Sequence, residues 1–362
     1  MSRIVLHVGP EKCASSTIQH AVLNPPPPID NLLTGVLLEP RELLTLDCDR
    51  PTTEAYTRFH ALIAAKRTEA PGRLLVFSHE MTFKLLRSVV NLADIARQHA
   101  DEVVVVAYVR RQSDFLVSGF GQWLFRSPDR IAETAEILRA HGLDPMLFWG
   151  VERHLIAGIL AGWEVGRQLS GHLYFDWSQS IPERAAALKA CGASLSVGYL
   201  PRHSAARPLL SDFFARVGLD AAAGHAFPQV FNPAYPPALI EATLNAIESG
   251  YPMPGPHEAN EFFEVATAAT GAGAPLHPQF VTRLKHHIDT AFEAKNARFA
   301  KAYGLPSEYF APLEHVDLDT IRTEIFAEAA FRAAIPEEQR HRERLSRSML
   351  AQISWAAYQH RH

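Results

Sequence analysis

The residues of this chain best suited to chemistry stand in three short clusters. The first is Gly9-Pro10-Glu11-Lys12-Cys13-Ala14-Ser15-Ser16-Thr17, which directly follows an apolar run at 4–8 and leads into Ile18-Gln19-His20. That order reads strand, tight loop, helix. A helix start after a loop offers unpaired backbone N–H groups and the positive end of the macrodipole, which suits a phosphate or sulfate. Lys12 adds a mobile positive charge. The hydroxyls of Ser15, Ser16 and Thr17 can cap the helix or hold phosphate oxygens. The second cluster is Ser78-His79-Glu80, where His79 and Glu80 can exchange a proton with a substrate. The third is Arg110-Arg111 after the run 103–109; Arg binds phosphate with a fixed two-pronged geometry. Arg111 is expected to face solvent or a carboxylate.

The spacing separates the first cluster from the common nucleotide loop. That loop, G-x-x-x-x-G-K-[ST], sets Lys beside the hydroxyl residue and carries a second Gly. Here Lys12 stands three positions before Ser15, and Ala14 occupies the place of a Gly. The same residues also suit a plain capped helix carrying a surface lysine. Cys13 sits where the helix start and Lys12 would lower its pKa, which leaves a nucleophilic role open beside a packing role. His7, inside the first strand, reads as a packed core histidine.

These clusters need elements to hold them. Strands are expected at 4–8, 74–77, 103–109 and 195–199. Helices are expected from Ser15 to before the Pro25–Pro28 run, and at 55–67, 86–99, 113–125 and 209–217. The β-branched run at 103–109 suggests a strand buried on both faces, as in a parallel sheet. Strands alternating with helices predict an α/β fold with a central parallel sheet flanked by helices. In such sheets ligands sit beyond the carboxyl ends of the strands, where all three clusters fall. After residue 220 Pro and Gly punctuate the chain up to Pro278, and long helical stretches follow at 279–303, 318–334 and 337–360. The expected division is an α/β core at 1–220 and a mostly helical extension at 221–362 packed on it. The aromatic residues at 120–125 suit either a pocket wall or the core. The pairs His286-His287 and His360/His362 read as solvated, because adjacent helical positions face different sides.

A chain of 362 residues can bury a large core. A formal charge of −4 argues against a general nucleic-acid binder, which needs a basic face. Three cysteines, Cys13, Cys48 and Cys191, have no metal-like spacing and fit a reducing compartment. No secretory signal and no bilayer-length apolar run is visible, so a cytoplasmic protein without a membrane span is expected.

The order His7-Val8-Gly9, Lys12, Ser15-Ser16-Thr17-Ile18-Gln19, then Ser78-His79-Glu80, then Tyr108-Val109-Arg110-Arg111-Gln112, Phe115-Leu116 and Ser118 resembles the sulfotransferases that use 3′-phosphoadenosine 5′-phosphosulfate (PAPS), nearest to their bacterial branch. Weaker similarity continues at 209–219 and at Asn232, so the resemblance covers about the first 220 residues. It implies a three-layer architecture of the P-loop NTPase kind, and transfer of a sulfuryl group from PAPS to a hydroxyl or amine acceptor, a carbohydrate or small metabolite, without a metal. It implies that Lys12, Cys13, Ala14, Ser15, Ser16 and Thr17 hold the 5′-phosphosulfate, and that Arg110 and Ser118 hold the 3′-phosphate. Lys12 would stabilise the leaving phosphate. Glu80, or else His79, would be the base, with Glu80 favoured because the family often has Ser-x-Glu there. Two departures stand out: Ala14 replaces the family's Gly, and Glu11 sets a negative charge beside Lys12. A P-loop-type nucleotide kinase or hydrolase, and a non-catalytic relative that kept only the fold, are the competing readings.

Overall fold

A computed structural model of the chain describes residues 2–25, 27, 29–148, 150–162, 175–200, 209–226, 235–255, 261–263 and 279–360. Asn232, Pro278 and His362 lie outside them. Five strands form one sheet: β1 (Arg3–Gly9), β2 (Leu33–Leu37), β3 (Leu74–Ser78), β4 (Glu102–Val109) and β5 (Ser194–Tyr199). Their order is β2-β3-β1-β4-β5, and every pairing is parallel. The sequence logic is clearest in β4. Its Val103–Val106 run is at most 6% exposed, so no polar face is needed and none is present. The central strand β1 sets His7 level with Ser78 on one side and Val106 on the other.

The chain leaves β1 toward β2 at one edge, and its later crossovers run toward the other edge. Right-handed crossovers then place helices on opposite faces. Helix Ser15–Leu23 accordingly packs with helix Leu209–Arg216, whereas Thr53–Glu69, Leu86–Arg97 and Trp177–Ala190 pack in a row. Helix Ser15–Leu23 lies so close to β2 that a Cβ at Gly35 would stand 2.2 Å from the Val22 carbonyl oxygen. The sheet thus admits the helix that follows the anion loop only where a side chain is missing.

Two compact units divide the chain. The first comprises Met1–Arg110, Tyr174–Asn232 and Arg298–Ser307, and holds the whole sheet. The second comprises Arg111–Leu173, Pro233–Ala297 and Glu308–His362, and is helical among the described residues. Each draws segments from both sides of residue 220.

The second unit corrects two expectations, the helix over 113–125 and the solvated His287, and decides two open alternatives. The helix expected over 113–125 is Gln112–Phe120, with Gly121 at its end and a 3₁₀ turn at Leu124–Arg126. Phe120 and Phe125 do not line an open wall; they are buried in a core with Leu239, Ile240, Leu244, Phe262 and Phe263. His287 is not solvated, since its side chain is buried with Nδ1 2.9 Å from the Val316 carbonyl oxygen. Arg111 takes the carboxylate alternative. Its guanidinium is buried 3.1 Å from Asp289 and also donates to the Tyr309 carbonyl. No described helix is long and apolar enough to cross a membrane.

Candidate functional site

The site is built in the first unit, at the carboxyl ends of β1, β3 and β4. β1 ends at Gly9, where φ is 87° and the pairing register with β4 shifts. A Cβ at Gly9 would lie 2.9 Å from the Glu80 carbonyl oxygen, so only glycine lets the β1 loop cross over the β3 turn. The loop then folds on itself. The Cys13 N–H donates to the Pro10 carbonyl at 3.3 Å, and the Ser15 hydroxyl donates to the same oxygen at 2.9 Å. Lys12 and Ala14 both adopt left-handed backbone, with φ of 63° and 65°. Ala14 is the N-cap of helix Ser15–Leu23, and no side chain caps that helix. The Ser15 hydroxyl closes the loop. In the first turn of that helix Ser15 and Thr17 are buried and Ser16 is half-buried.

β4 delivers Arg110. Its Nη1 donates to the Lys12 carbonyl at 3.2 Å, which binds the end of β4 to the apex of the β1 loop. The Arg110 carbonyl in turn accepts a 2.6 Å hydrogen bond from Nε1 of Trp177, a fully buried side chain at the start of its helix. Lys12 is held among Glu80, Glu11, Arg110 and Lys84. Burial brings its pKa down to about 8, and the two cations add to that fall while Glu80 and Glu11 oppose it. Its charge is thus given up at lower pH than that of an exposed lysine.

β3 delivers His79 and Glu80. The His79 N–H donates to the His7 carbonyl at 3.1 Å, and Glu80 opens a 3₁₀ turn at Glu80–Phe83. Burial raises the Glu80 pKa, Glu11 raises it further, and Lys12 and Lys84 lower it. Burial lowers that of His79. Glu80 is thus tuned toward holding a proton at neutral pH more readily than an exposed carboxylate. Two residues invisible to motif reading hold this turn. Arg184 donates from Nε to the Phe83 carbonyl at 3.0 Å and lies 4.1 Å over the Phe83 ring. Lys84 forms a 2.6 Å ion pair with Glu11. Each follows a strand end or sits on a helix the sequence pattern did not single out, so a search for basic residues just past strand ends would have found Lys84 alone.

One reading fails at Cys13. Cys13 is fully buried, and burial pushes its thiol pKa up rather than down, so it packs the loop and does not attack. Ser118 stands half-buried on helix Gln112–Phe120 of the second unit. His7 is buried as expected, with Nδ1 2.7 Å from the Ser78 hydroxyl, and burial brings its pKa down to about 3.

No protein-family model, no curated protein and no solved structure matches the chain. The chemistry therefore rests on the side chains themselves. Two cations from neighbouring strand ends, a helix N-terminus and one carboxyl of raised pKa suit a polyanionic ligand with a hydroxyl to be deprotonated beside it. Among the described residues no group of three His, Cys, Asp or Glu is placed to hold a metal ion.

Proposed function

We propose that this chain is a sulfotransferase, moving a sulfuryl group from PAPS to a hydroxyl or amine of a carbohydrate or small-metabolite acceptor. The observation that carries the reading is the Arg110–Lys12 contact, which sets the guanidinium from β4 on the loop from β1. β1 and β4 flank the point where the strand order reverses, and open parallel sheets bind ligands in the crevice there.

The residues suit PAPS in detail. Ala14 takes the left-handed backbone its glycine counterpart would take, so the loop keeps its shape at a cost of about 1–2 kcal/mol. When bound, PAPS supplies a sulfuryl group on a phosphate leaving group. Lys12 and the first-turn N–H groups of Ser15, Ser16 and Thr17 hold the 5′ end and balance the charge that grows on the departing phosphate oxygen. Arg110 holds the 3′-phosphate; the resemblance adds Ser118 to that role on sequence alone. Glu80 accepts the proton of the acceptor hydroxyl, with its raised pKa nearer the working pH. His79, whose pKa burial lowers while Glu39 and Glu11 raise it, is the alternative base; Glu80 is favoured because the resemblance places Ser-x-Glu there.

Calorimetry with adenosine 3′,5′-bisphosphate tests the reading. Magnesium-independent binding supports it. Binding of ATP that requires magnesium would instead make the protein a nucleotide kinase or hydrolase, a role disfavoured by the buried Cys13 standing where that loop needs a magnesium-binding hydroxyl. Binding of neither nucleotide would leave a non-catalytic protein of this fold.

A further inference from the structure

The anion loop carries a carboxylate, Glu11, directly beside Lys12. A negative charge there opposes any phosphate drawn to the loop. Glu11 is only 13% exposed, so water does little to disperse its charge. The residue that meets it is Lys84, which comes directly after the Glu80–Phe83 turn and pairs with it at 2.6 Å. We propose that Lys84 is a positioning residue of the same site: by neutralising Glu11 it keeps the loop receptive to the nucleotide's phosphates, without itself contacting them. This rests on the proposed function, since it concerns the affinity of that site for a nucleotide anion.

Three features support an indirect role over ligand contact. The Lys84 ammonium is committed to the loop carboxylate. The pair joins the two segments that carry the loop cation and the acid, because Glu11 precedes Lys12 and Lys84 closes the turn begun by Glu80. The charged groups that face Glu80 are Glu11, Lys12 and Lys84, and those that face Lys12 are Glu80, Glu11, Arg110 and Lys84. Removing Lys84 therefore leaves Glu11 acting on both without its ion-pair partner. A part-buried charge stripped of its partner keeps its full repulsion for a like-charged ligand.

The test is a double-mutant cycle on the full-length chain, read by calorimetry with adenosine 3′,5′-bisphosphate. Lys84→Met is expected to weaken binding by about tenfold, the order for one unscreened unit charge near a protein surface. Adding Glu11→Gln to Lys84→Met is expected to restore most of that loss, because the repelling charge is then gone as well. In turnover assays Lys84→Met should also shift the acid limb of the pH–rate profile upward, since Lys12 is then, among the described residues, the one remaining cation that offsets Glu11 at Glu80; Glu11→Gln should shift it downward. A thermal melt of each variant confirms that it is folded, and the double variant supplies the comparison if the single one is not. Binding as strong in Lys84→Met as in the wild type would overturn the proposal and leave the proposed function standing. A double variant as weak as Lys84→Met would overturn it in favour of direct contact with the ligand. Absence of binding by the wild-type chain would remove the proposed function and this proposal with it.

Discussion

Replacing Ala14 by glycine should stabilise the protein, although alanine-to-glycine changes ordinarily do the opposite. Ala14 sits at φ 65°, where its Cβ crowds the following carbonyl. That conformation costs an L-residue about 1–2 kcal/mol and costs glycine almost nothing. Against this stands the greater freedom glycine gains in the unfolded chain, worth about 0.4–1 kcal/mol. The difference is a net gain of about 0.5–1 kcal/mol. For a cooperative unit of 150–250 residues that raises Tm by roughly 1–4 °C. The assay is urea and thermal unfolding of Ala14→Gly beside a control, Ala65→Gly. Ala65 is exposed in the interior of helix Thr53–Glu69, where loss of helix propensity should lower stability by about 1 kcal/mol. The same chemical change is thus expected to act with opposite sign at the two positions. The bisphosphate affinity of Ala14→Gly should match or exceed the wild type's, because the loop shape is retained. Destabilisation at both positions would refute the reasoning and with it the left-handed cap of the loop.

Glu80→Gln should lower sulfuryl transfer by at least a hundredfold while changing bisphosphate affinity less than threefold, the order for loss of a general base; retained turnover removes Glu80 from that role. Lys12, with its pKa brought down to about 8, should make bisphosphate binding fall as pH rises through about 8, and Lys12→Met should abolish that dependence. The same shift has a sign in stability. The folded chain holds the Lys12 proton less tightly than the unfolded chain, so unfolding free energy should climb between about pH 8 and 10.5 relative to Lys12→Met. In the second unit, Asp289→Ala strands the buried Arg111 guanidinium and should cost about 3–5 kcal/mol, measured by urea unfolding; a loss under 1 kcal/mol would mean that water reaches Arg111.

How much of this was readable in advance follows from the kind of signal each element sends. β4 was legible because a run of valines leaves a strand no alternative. Helix Gln279–Tyr303 was legible because its apolar spacing persists over many turns. β2 was not, since Leu33–Leu37 is short, has Gly35 at its centre and is mostly half-buried, so it lacks both alternation and a continuous apolar run. Helix Trp177–Ala190 was hidden by Pro182 inside it. At the site, the three clusters could be assigned to strand ends, because each follows its own strand. Which strand ends are neighbours is a property of topology. The separation of 98 positions between Lys12 and Arg110 leaves no local trace of their contact. Cys13 failed for a different reason. Proximity to a cation and a helix start argues for a low pKa, but full burial outweighs both, and burial is decided by tertiary packing.

The crossing of Gly9 over the backbone of Glu80 has a practical meaning for anyone redesigning this protein. The proposed phosphate cradle and the Glu80 turn are wedged together main chain to main chain, with no side chain as a cushion. Exchanging the acid for another residue leaves that wedge untouched, so the acid's chemistry can be varied freely at a fixed height above the sheet. Lengthening the cradle by one residue cannot be done so quietly, because the displacement would pass straight into the acid.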